Sequence, residues 1–142
     1  MKELIKTKVD YAKLTGKEQE VINFAKTAAV LAEFGFECSK ISADKNGADM
    51  NAYHIETGKT ISIQLKGSRA TLCKKYIGRE LWIAYIDQNT NEVCFYDHDQ
   101  AVSIFEQGQS ARTVSWETNG QYSSKTMHKQ FEEVIIRKSL CS

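Results

Sequence analysis

Residues 47–69 carry the sequence GADMNAYHIETGKTISIQLKGSR, the strongest structural pattern in the chain. Two extended segments flank a short glycine-containing turn at 56–59, which is typical of a β-hairpin. In the second segment, aliphatic residues alternate with polar ones. Because successive side chains of a strand point to opposite faces of a sheet, Gln64 and Lys66 are expected on one face and Ile63 on the other.

A carboxylate in the first segment of the hairpin suggests a site. If Asp49 lies opposite Gln64 and Lys66, a carboxylate, a carboxamide and an ammonium group meet at one place. A divalent metal ion takes oxygen ligands of this kind, and a phosphate is attracted by the ammonium group. The alternative is that these residues form only the solvated face of an amphipathic strand, because short motifs often match by chance.

The length and composition are those of one globular domain, residues 1–142. The chain has 142 residues, of which 42% are hydrophobic and 26% are charged, which is enough for a sizeable core. The charged N-terminus lacks the apolar stretch of a signal peptide, and no window is apolar for long enough to span a membrane. We therefore expect a cytoplasmic protein without a membrane partner.

The cysteines show no spacing typical of a metal site. They are Cys38, Cys73, Cys94 and Cys141. Without a CxxC pair or a Cys/His pattern, free thiols in a reducing compartment are expected, and a zinc site is not.

Charge is distributed unevenly, although the total is nearly balanced. The formal net charge of +1 does not by itself indicate a nucleic-acid-binding protein. The segment 66–79, however, contains no acidic residue and these basic ones: Lys66, Arg69, Lys74, Lys75 and Arg79. This segment is either a solvated surface or a stripe that neutralises a phosphate backbone.

The residues before the hairpin predict a helix followed by a strand. Thr15 and Glu18 form a capping-box pattern at the start of the helix, and Gly35 is suited to its C-terminal cap. The apolar residues at helical spacing are Val21, Phe24, Ala25, Ala28, Leu31 and Ala32. Residues 36–42 are expected to form the strand.

The residues after the hairpin predict a second pair of strands and a short helix. Residues 68–78 are either a loop or a short helix, whereas 81–86 and 93–96 predict two antiparallel strands. The next helix is expected to be capped at Asp97 to Asp99, to end at Phe105, and to leave His98 at the surface rather than as a metal ligand.

The C-terminal region predicts a strand at 113–117 and a final helix. Ser124 is its expected N-cap, and its apolar stripe contains Met127, Phe131, Val134 and Ile135. Arg137 and Lys138 would then lie at the helix C-terminus, where positive charge is favourable. The fold class predicted by all these elements is α/β with mixed α+β character: a central mixed β-sheet flanked by helices.

In the order of these elements and motifs, the sequence resembles the PD-(D/E)XK nuclease superfamily. It is most similar to the small prokaryotic endonucleases, including intron-encoded homing enzymes, in which glutamine replaces the usual second acidic residue. The similarity covers residues 16–105, and the matching positions are Ala25, Lys26, Leu31, Gly35, Phe36, Asp49 and the segments 64–69, 81–86 and 93–96. Alanine stands before Asp49, where the family has proline.

The resemblance implies a restriction-endonuclease-like core and a site for Mg²⁺, with Mn²⁺ as a substitute. Asp49, the carbonyl oxygen of Gln64 and the carboxylate of Glu20 would hold the metal. Lys66 would orient the attacking water or stabilise charge on the phosphate. Glu20 is expected to be the helix acid because Glu18 is already used by the capping box.

The activity implied by the resemblance is metal-dependent endonucleolytic cleavage of DNA by a homo-oligomer, either a dimer or a larger assembly. The residues expected to contact flanking phosphates are Ser68, Arg69, Lys74, Lys75 and Arg79. Two alternatives stay open. One is an RNase or toxin-type nuclease acting on RNA, and the other is a catalytically inactive domain that binds nucleic acid or protein.

Overall fold

The computed structural model describes residues 2–42, 47–67, 69–107, 115–124 and 132–140. The α-helices that lie wholly within these residues are α1 (Gly16–Ala32) and α2 (His98–Glu106). Its strands are β1 (Phe36–Lys40), β2 (Met50–His54), β3 (Thr60–Leu65), β4 (Ala70–Cys73), β5 (Leu81–Asp87), β6 (Glu92–Asp97), β7 (Gln121–Ser124) and β8 (Ile136–Lys138). Short 3-10 helices lie at Tyr11–Lys13 and Lys74–Tyr76, and a π-helical turn lies at Ser115–Asn119.

A six-stranded mixed sheet forms the centre of the molecule, in the order β1-β2-β3-β5-β6-β8. Strands β3 and β5 are parallel, and the other neighbouring pairs in this sheet are antiparallel. Strands β4 and β7 form a separate antiparallel pair. The predicted class, a mixed central sheet flanked by helices, is confirmed.

Each face of the central sheet carries its own apolar core. On one face α1 packs on side chains that include Met50, Ile63 and Ala84. On the other face α2, the β4–β7 pair and Trp116 enclose a second core that includes Tyr96. A fully buried aliphatic or aromatic side chain contributes about 1.5–3 kcal/mol to stability, so both layers hold the sheet in place.

The predicted hairpin forms as β2 and β3, with Met50 paired to Ile63 and Tyr53 paired to Thr60. Ile63 is fully buried against the α1 side. The alternation therefore directs Gln64 and Lys66 to the opposite face, as expected from the sequence.

The predicted start and end of α1 are confirmed, but its buried stripe matches the predicted one only in part. Thr15 and Glu18 form both hydrogen bonds of the capping box, and Gly35 follows the helix with a φ of +87°. The expected apolar stripe is confirmed at Leu31 and Phe24, which pack in the core beneath α1, and is wrong at Val21, which is 61% exposed. The buried positions of the helix are Asn23, Thr27, Val30 and Leu31. Asn23 is accommodated there because its Oδ1 accepts a hydrogen bond from the Tyr11 hydroxyl at 3.1 Å.

The second half of the chain departs from the prediction in three places. The segment 68–78, expected to be a loop or short helix, contains strand β4 before its 3-10 turn. The expected strand at 113–117 is wrong at Ser115–Glu117, which belong to the π-helical turn, and 113–114 lie outside the described residues. Arg137 and Lys138 lie in β8 rather than at the end of a helix, because this segment pairs with β6.

Two further expectations have mixed outcomes. Asp97 caps α2 as predicted, and its side chain accepts a hydrogen bond from the Gln100 N–H. His98 is fully buried, however, so its predicted surface position is wrong. The expected stripe residues Met127 and Phe131 lie outside the described residues.

Two further observations concern the cysteines and the helices. In the described part of the chain, Cys38, Cys73 and Cys94 are free thiols. Within the same ranges, no helix has the length and apolar character needed to cross a membrane.

Candidate active site

Asp49 lies at the end of the central sheet, between the two packing layers. Its neighbour Ala48 belongs to the core beneath α2, and its neighbour Met50 belongs to the core beneath α1. The chain therefore crosses from one layer to the other at Asp49. The backbone N–H of Asp49 donates to the Ile63 carbonyl at 2.8 Å, which attaches this crossing point to β3.

The carboxylate of Asp49 is fixed beside the end of β3. Its Oδ2 accepts a hydrogen bond from the Leu65 N–H at 2.9 Å. The backbone bond to Ile63 and the side-chain bond to Leu65 lie on either side of Gln64. The hairpin thus brings Asp49 next to the end of β3, where Gln64 lies.

The electrostatic surroundings of Asp49 combine opposing effects. Partial burial raises the pKa of this carboxyl above its ordinary value, and the charge of Glu20 adds to the rise. The Leu65 N–H and the charges of Lys66 and Lys40 act in the opposite direction. Burial is the largest of these effects, so the ionised form of Asp49 is held at a cost in the folded protein.

Lys66 continues the parallel pairing beyond the end of β3. Its N–H donates to the Ala84 carbonyl at 2.8 Å. Its Nζ lies 5.5 Å from the centroid of the Tyr76 ring, which belongs to the core beneath α2. Lys66 therefore approaches Asp49 from the side of the sheet opposite to α1.

Glu20 belongs to the other layer, on α1. It lies in the first half of α1 on an exposed position, and its charge reaches Asp49. Glu18, in contrast, accepts a hydrogen bond from the Thr15 N–H at 2.8 Å within the capping box. This difference agrees with the choice of Glu20 over Glu18 as the candidate helix acid, whose role in metal binding stays a prediction.

Gln64 completes the set of candidate oxygen donors. Its side chain is partly buried, and its Nε2 donates to the Leu65 carbonyl at 3.4 Å, so the amide nitrogen is the end directed to the backbone. Among the described residues, no three His, Cys, Asp or Glu side chains form a group that could hold a metal. Two carboxylates and one carbonyl fit Mg²⁺ nevertheless, because this ion is commonly held by one or two carboxylates and keeps several waters.

The residues predicted to contact phosphates do not all lie in the same region of the protein. Arg69, Lys74 and Lys75 are exposed near β4, and Lys75 lies over the same Tyr76 ring as Lys66, at 5.2 Å. Arg79 is also exposed but lines a different region, described next. Ser68, the remaining predicted contact, lies outside the described residues.

A cavity of about 930 Å³ lies away from the Asp49 site. Its lining includes Leu31 at the end of α1, Trp82 near the start of β5, and Arg79. Asp49, Gln64, Lys66 and Glu20 do not line it. The predicted site is therefore not part of this cavity.

Sequence reasoning missed two residues that surround the site. Tyr76 and His98 pack edge to face, with ring centroids 5.7 Å apart, and His98 lies within the influence of the Lys66 charge. The basic residues around Tyr76 were visible in the sequence, but no local pattern connects Tyr76 with His98. Their contact depends on the packing of α2 against the turn after β4.

Comparison with protein-family models and with curated proteins finds no match to this sequence. The resemblance to the nuclease superfamily therefore depends on the motif residues and their arrangement.

Proposed function

We propose that this protein is a Mg²⁺-dependent endonuclease that hydrolyses phosphodiester bonds of DNA. The observation that supports it most is the position of Asp49 at the end of the sheet, where the charges of Lys66 and Glu20 both act on it from opposite layers. A partly buried carboxylate with a second acid nearby is less costly when a divalent cation neutralises it.

The residues have distinct roles in the proposed reaction. Asp49, the Gln64 carbonyl and Glu20 would hold Mg²⁺, and the ion would supply Lewis-acid activation of the phosphate and of the attacking water. The Leu65 N–H keeps the Asp49 carboxylate in one orientation. Lys66 stabilises the negative charge that develops on the phosphate oxygens during attack.

The proposed substrate is DNA, and the proposed binding surface contains Arg69, Lys74 and Lys75. Exposed basic side chains bind the phosphate backbone independently of sequence. An RNA substrate is the alternative within the same class, because phosphate contacts do not read the 2′-hydroxyl group. A cytoplasmic location and a homo-oligomeric state stay predictions.

Two observations support a second candidate, a catalytically inactive nucleic-acid-binding domain. Gln64 is neutral, and the described residues contain no group of three side chains among His, Cys, Asp and Glu that could hold a metal. A protein whose site binds Mg²⁺ weakly would still bind nucleic acid through its basic surface but would not cleave it.

A cleavage assay separates these candidates. Supercoiled plasmid and tRNA are incubated with the protein in the absence of metal, with Mg²⁺, or with Mn²⁺. The variants are Asp49→Asn and Lys66→Met, and the matched control is Lys138→Met, since Lys138 also lies over an aromatic ring but belongs to β8.

We expect metal-dependent nicking of the plasmid by the wild-type protein and by Lys138→Met. Both site variants should lose at least about a hundredfold in rate, the scale seen when one stabilising group is removed from an active site. Faster cleavage of tRNA than of plasmid would assign RNA as the substrate. Binding of DNA without cleavage in either metal would favour the inactive domain.

A further inference from the structure

The Tyr76 ring contacts both chain segments that carry the candidate site. Lys66 Nζ lies 5.5 Å from its centroid, and Tyr76 is 8% exposed. On another side, Gly47 lies so close that an added Cβ would stand 2.7 Å from Tyr76 Cε1. Gly47 also has a φ of +93°, which disfavours any other residue there. The ring thus lies between Lys66 and the segment that leads into Asp49.

The Tyr76 ring also packs against a buried histidine. His98 is fully buried and packs against the ring at an interplanar angle of 79°. Its Nε2 accepts a hydrogen bond from the Cys73 N–H at 3.0 Å, directly before the turn that contains Tyr76. Burial lowers the pKa of His98, so the ring is neutral at pH 7. This contact fixes the turn relative to α2.

We propose that Tyr76 is a positioning residue whose ring holds the Lys66 ammonium group beside Asp49. A cation within about 6 Å of a ring centroid is attracted by the negative face of the ring. Without this contact a lysine side chain samples many rotamers, and only a fraction of them place Nζ where a phosphate binds beside Asp49. The catalytic consequence depends on the proposed function, whereas the placement of Lys66 is testable without cleavage.

The molecule contains a matched control pair. Lys74 Nζ lies 5.1 Å from the centroid of the Trp116 ring, and Trp116 is 2% exposed. Trp116→Leu therefore removes a buried aromatic ring beneath a lysine, as Tyr76→Leu does. Tyr76→Leu removes the ring beneath Lys66 and Lys75, whereas Trp116→Leu removes the ring beneath Lys74 and leaves the ring beneath Lys66 in place.

The first measurement is nuclear magnetic resonance of metal-free protein containing isotope-labelled lysine, with Lys66 assigned by its loss in Lys66→Met. In the wild-type protein we expect nuclear Overhauser effects between the Lys66 ε-methylene group and the Tyr76 ring, and restricted ε-methylene motion. Tyr76→Phe should keep both. Tyr76→Leu should make the ε-methylene of Lys66 as mobile as that of an exposed lysine, whereas Trp116→Leu should leave it unchanged.

The second measurement is cleavage. Tyr76→Leu should lower kcat about tenfold, since a tenfold factor equals about 1.4 kcal/mol and this lies within the range of cation–π energies. The affinity for DNA measured without metal should stay within about twofold, and Tyr76→Phe should restore kcat. If Tyr76→Leu does not fold, Tyr76→Met replaces it, since methionine fills irregular space without a ring.

Either of two results overturns the proposal. One is the absence of Overhauser effects between Lys66 and Tyr76 in the wild-type protein. The other is unchanged Lys66 motion in the variant without the ring. A wild-type protein that cleaves nothing, but whose Lys66 motion responds as expected, supports the placement by Tyr76 and overturns the proposed function alone.

Discussion

At the scale of single residues, Asp49 combines a structural cost with a proposed function. Burial raises its pKa above the ordinary value of 3.8. The folded protein therefore binds a proton at Asp49 more tightly than the unfolded chain does. As the pH rises through 3.8 and then through the raised pKa, this difference in proton binding makes the fold progressively less stable, and the loss persists at neutral pH.

We predict that Asp49→Asn raises the melting temperature of the metal-free protein at pH 7. Asparagine removes the charge and keeps an oxygen that can accept from the Leu65 N–H. The gain should shrink as the pH falls through the raised pKa and disappear below 3.8, because Asp49 is then neutral in both the folded and the unfolded state. Mg²⁺ should raise the melting temperature of the wild-type protein but not of this variant, since a ligand of the folded state stabilises it by mass action.

Glu18→Gln is a control variant whose melting temperature should change in the opposite direction. The hydrogen bonds of the capping box lower the pKa of Glu18, so its ionised form favours the fold, and this variant should melt at a lower temperature at pH 7. A lower melting temperature of Asp49→Asn at pH 7 would show that Asp49 serves as a structural hydrogen-bond acceptor and not as a strained site carboxylate.

At the scale of elements, local patterns predicted the first half of the chain better than the second. The hairpin β2–β3 and the capping box of α1 depend on neighbouring residues, so they could be recognised from the sequence, together with the proximity of Asp49 to β3. Strand β4 could not, because its partner β7 lies about fifty residues later and neither strand alternates clearly. Tyr76 and His98 were missed for the same reason: their contact forms only after α2 packs.

The buried face of α1 shows a second limit of sequence patterns. Counting apolar residues favoured the stripe that contains Val21, yet Asn23 and Thr27 are buried instead. A polar residue is buried without a large cost when it is hydrogen-bonded. The partner of Asn23 is Tyr11, which lies outside the helix and which no helical periodicity indicates.

A further prediction concerns DNA binding by the basic residues in and after the turn that follows β4. Neutralising Lys74, Lys75 and Arg79 together should weaken DNA binding evenly across sequences and flatten its salt dependence. Because Arg79 lines the separate cavity, the double variant Lys74→Gln/Lys75→Gln should account for most of the effect and Arg79→Gln for little. Each lost phosphate contact should reduce the slope of log affinity against log salt by about 0.9. Binding titrations over a series of KCl concentrations without Mg²⁺ measure it, and an unchanged slope in the triple variant would assign these residues to a solvated surface.

At the scale of the whole molecule, the central sheet is shared by both cores. Ile63 and Ala84 face α1, whereas Ile83 and Tyr96 face α2, so neighbouring residues of the same strands serve opposite layers. Loss of either layer exposes one face of the sheet to water. The position of the candidate site between these layers makes its geometry depend on both.

This arrangement predicts that the two layers unfold together, and the chain offers one probe for each. Of its two tryptophans, Trp82 packs against the core beneath α1 and Trp116 belongs to the core beneath α2. Trp116→Phe leaves the first probe and Trp82→Phe leaves the second. In urea, the fluorescence of each single-tryptophan protein should give the same midpoint as its own far-ultraviolet circular dichroism, as expected for a two-state transition. If Trp116 fluorescence changes at a lower urea concentration than the dichroism of the same protein, the layer that holds Tyr76 and His98 opens on its own, and Lys66 loses its support while the sheet is still folded.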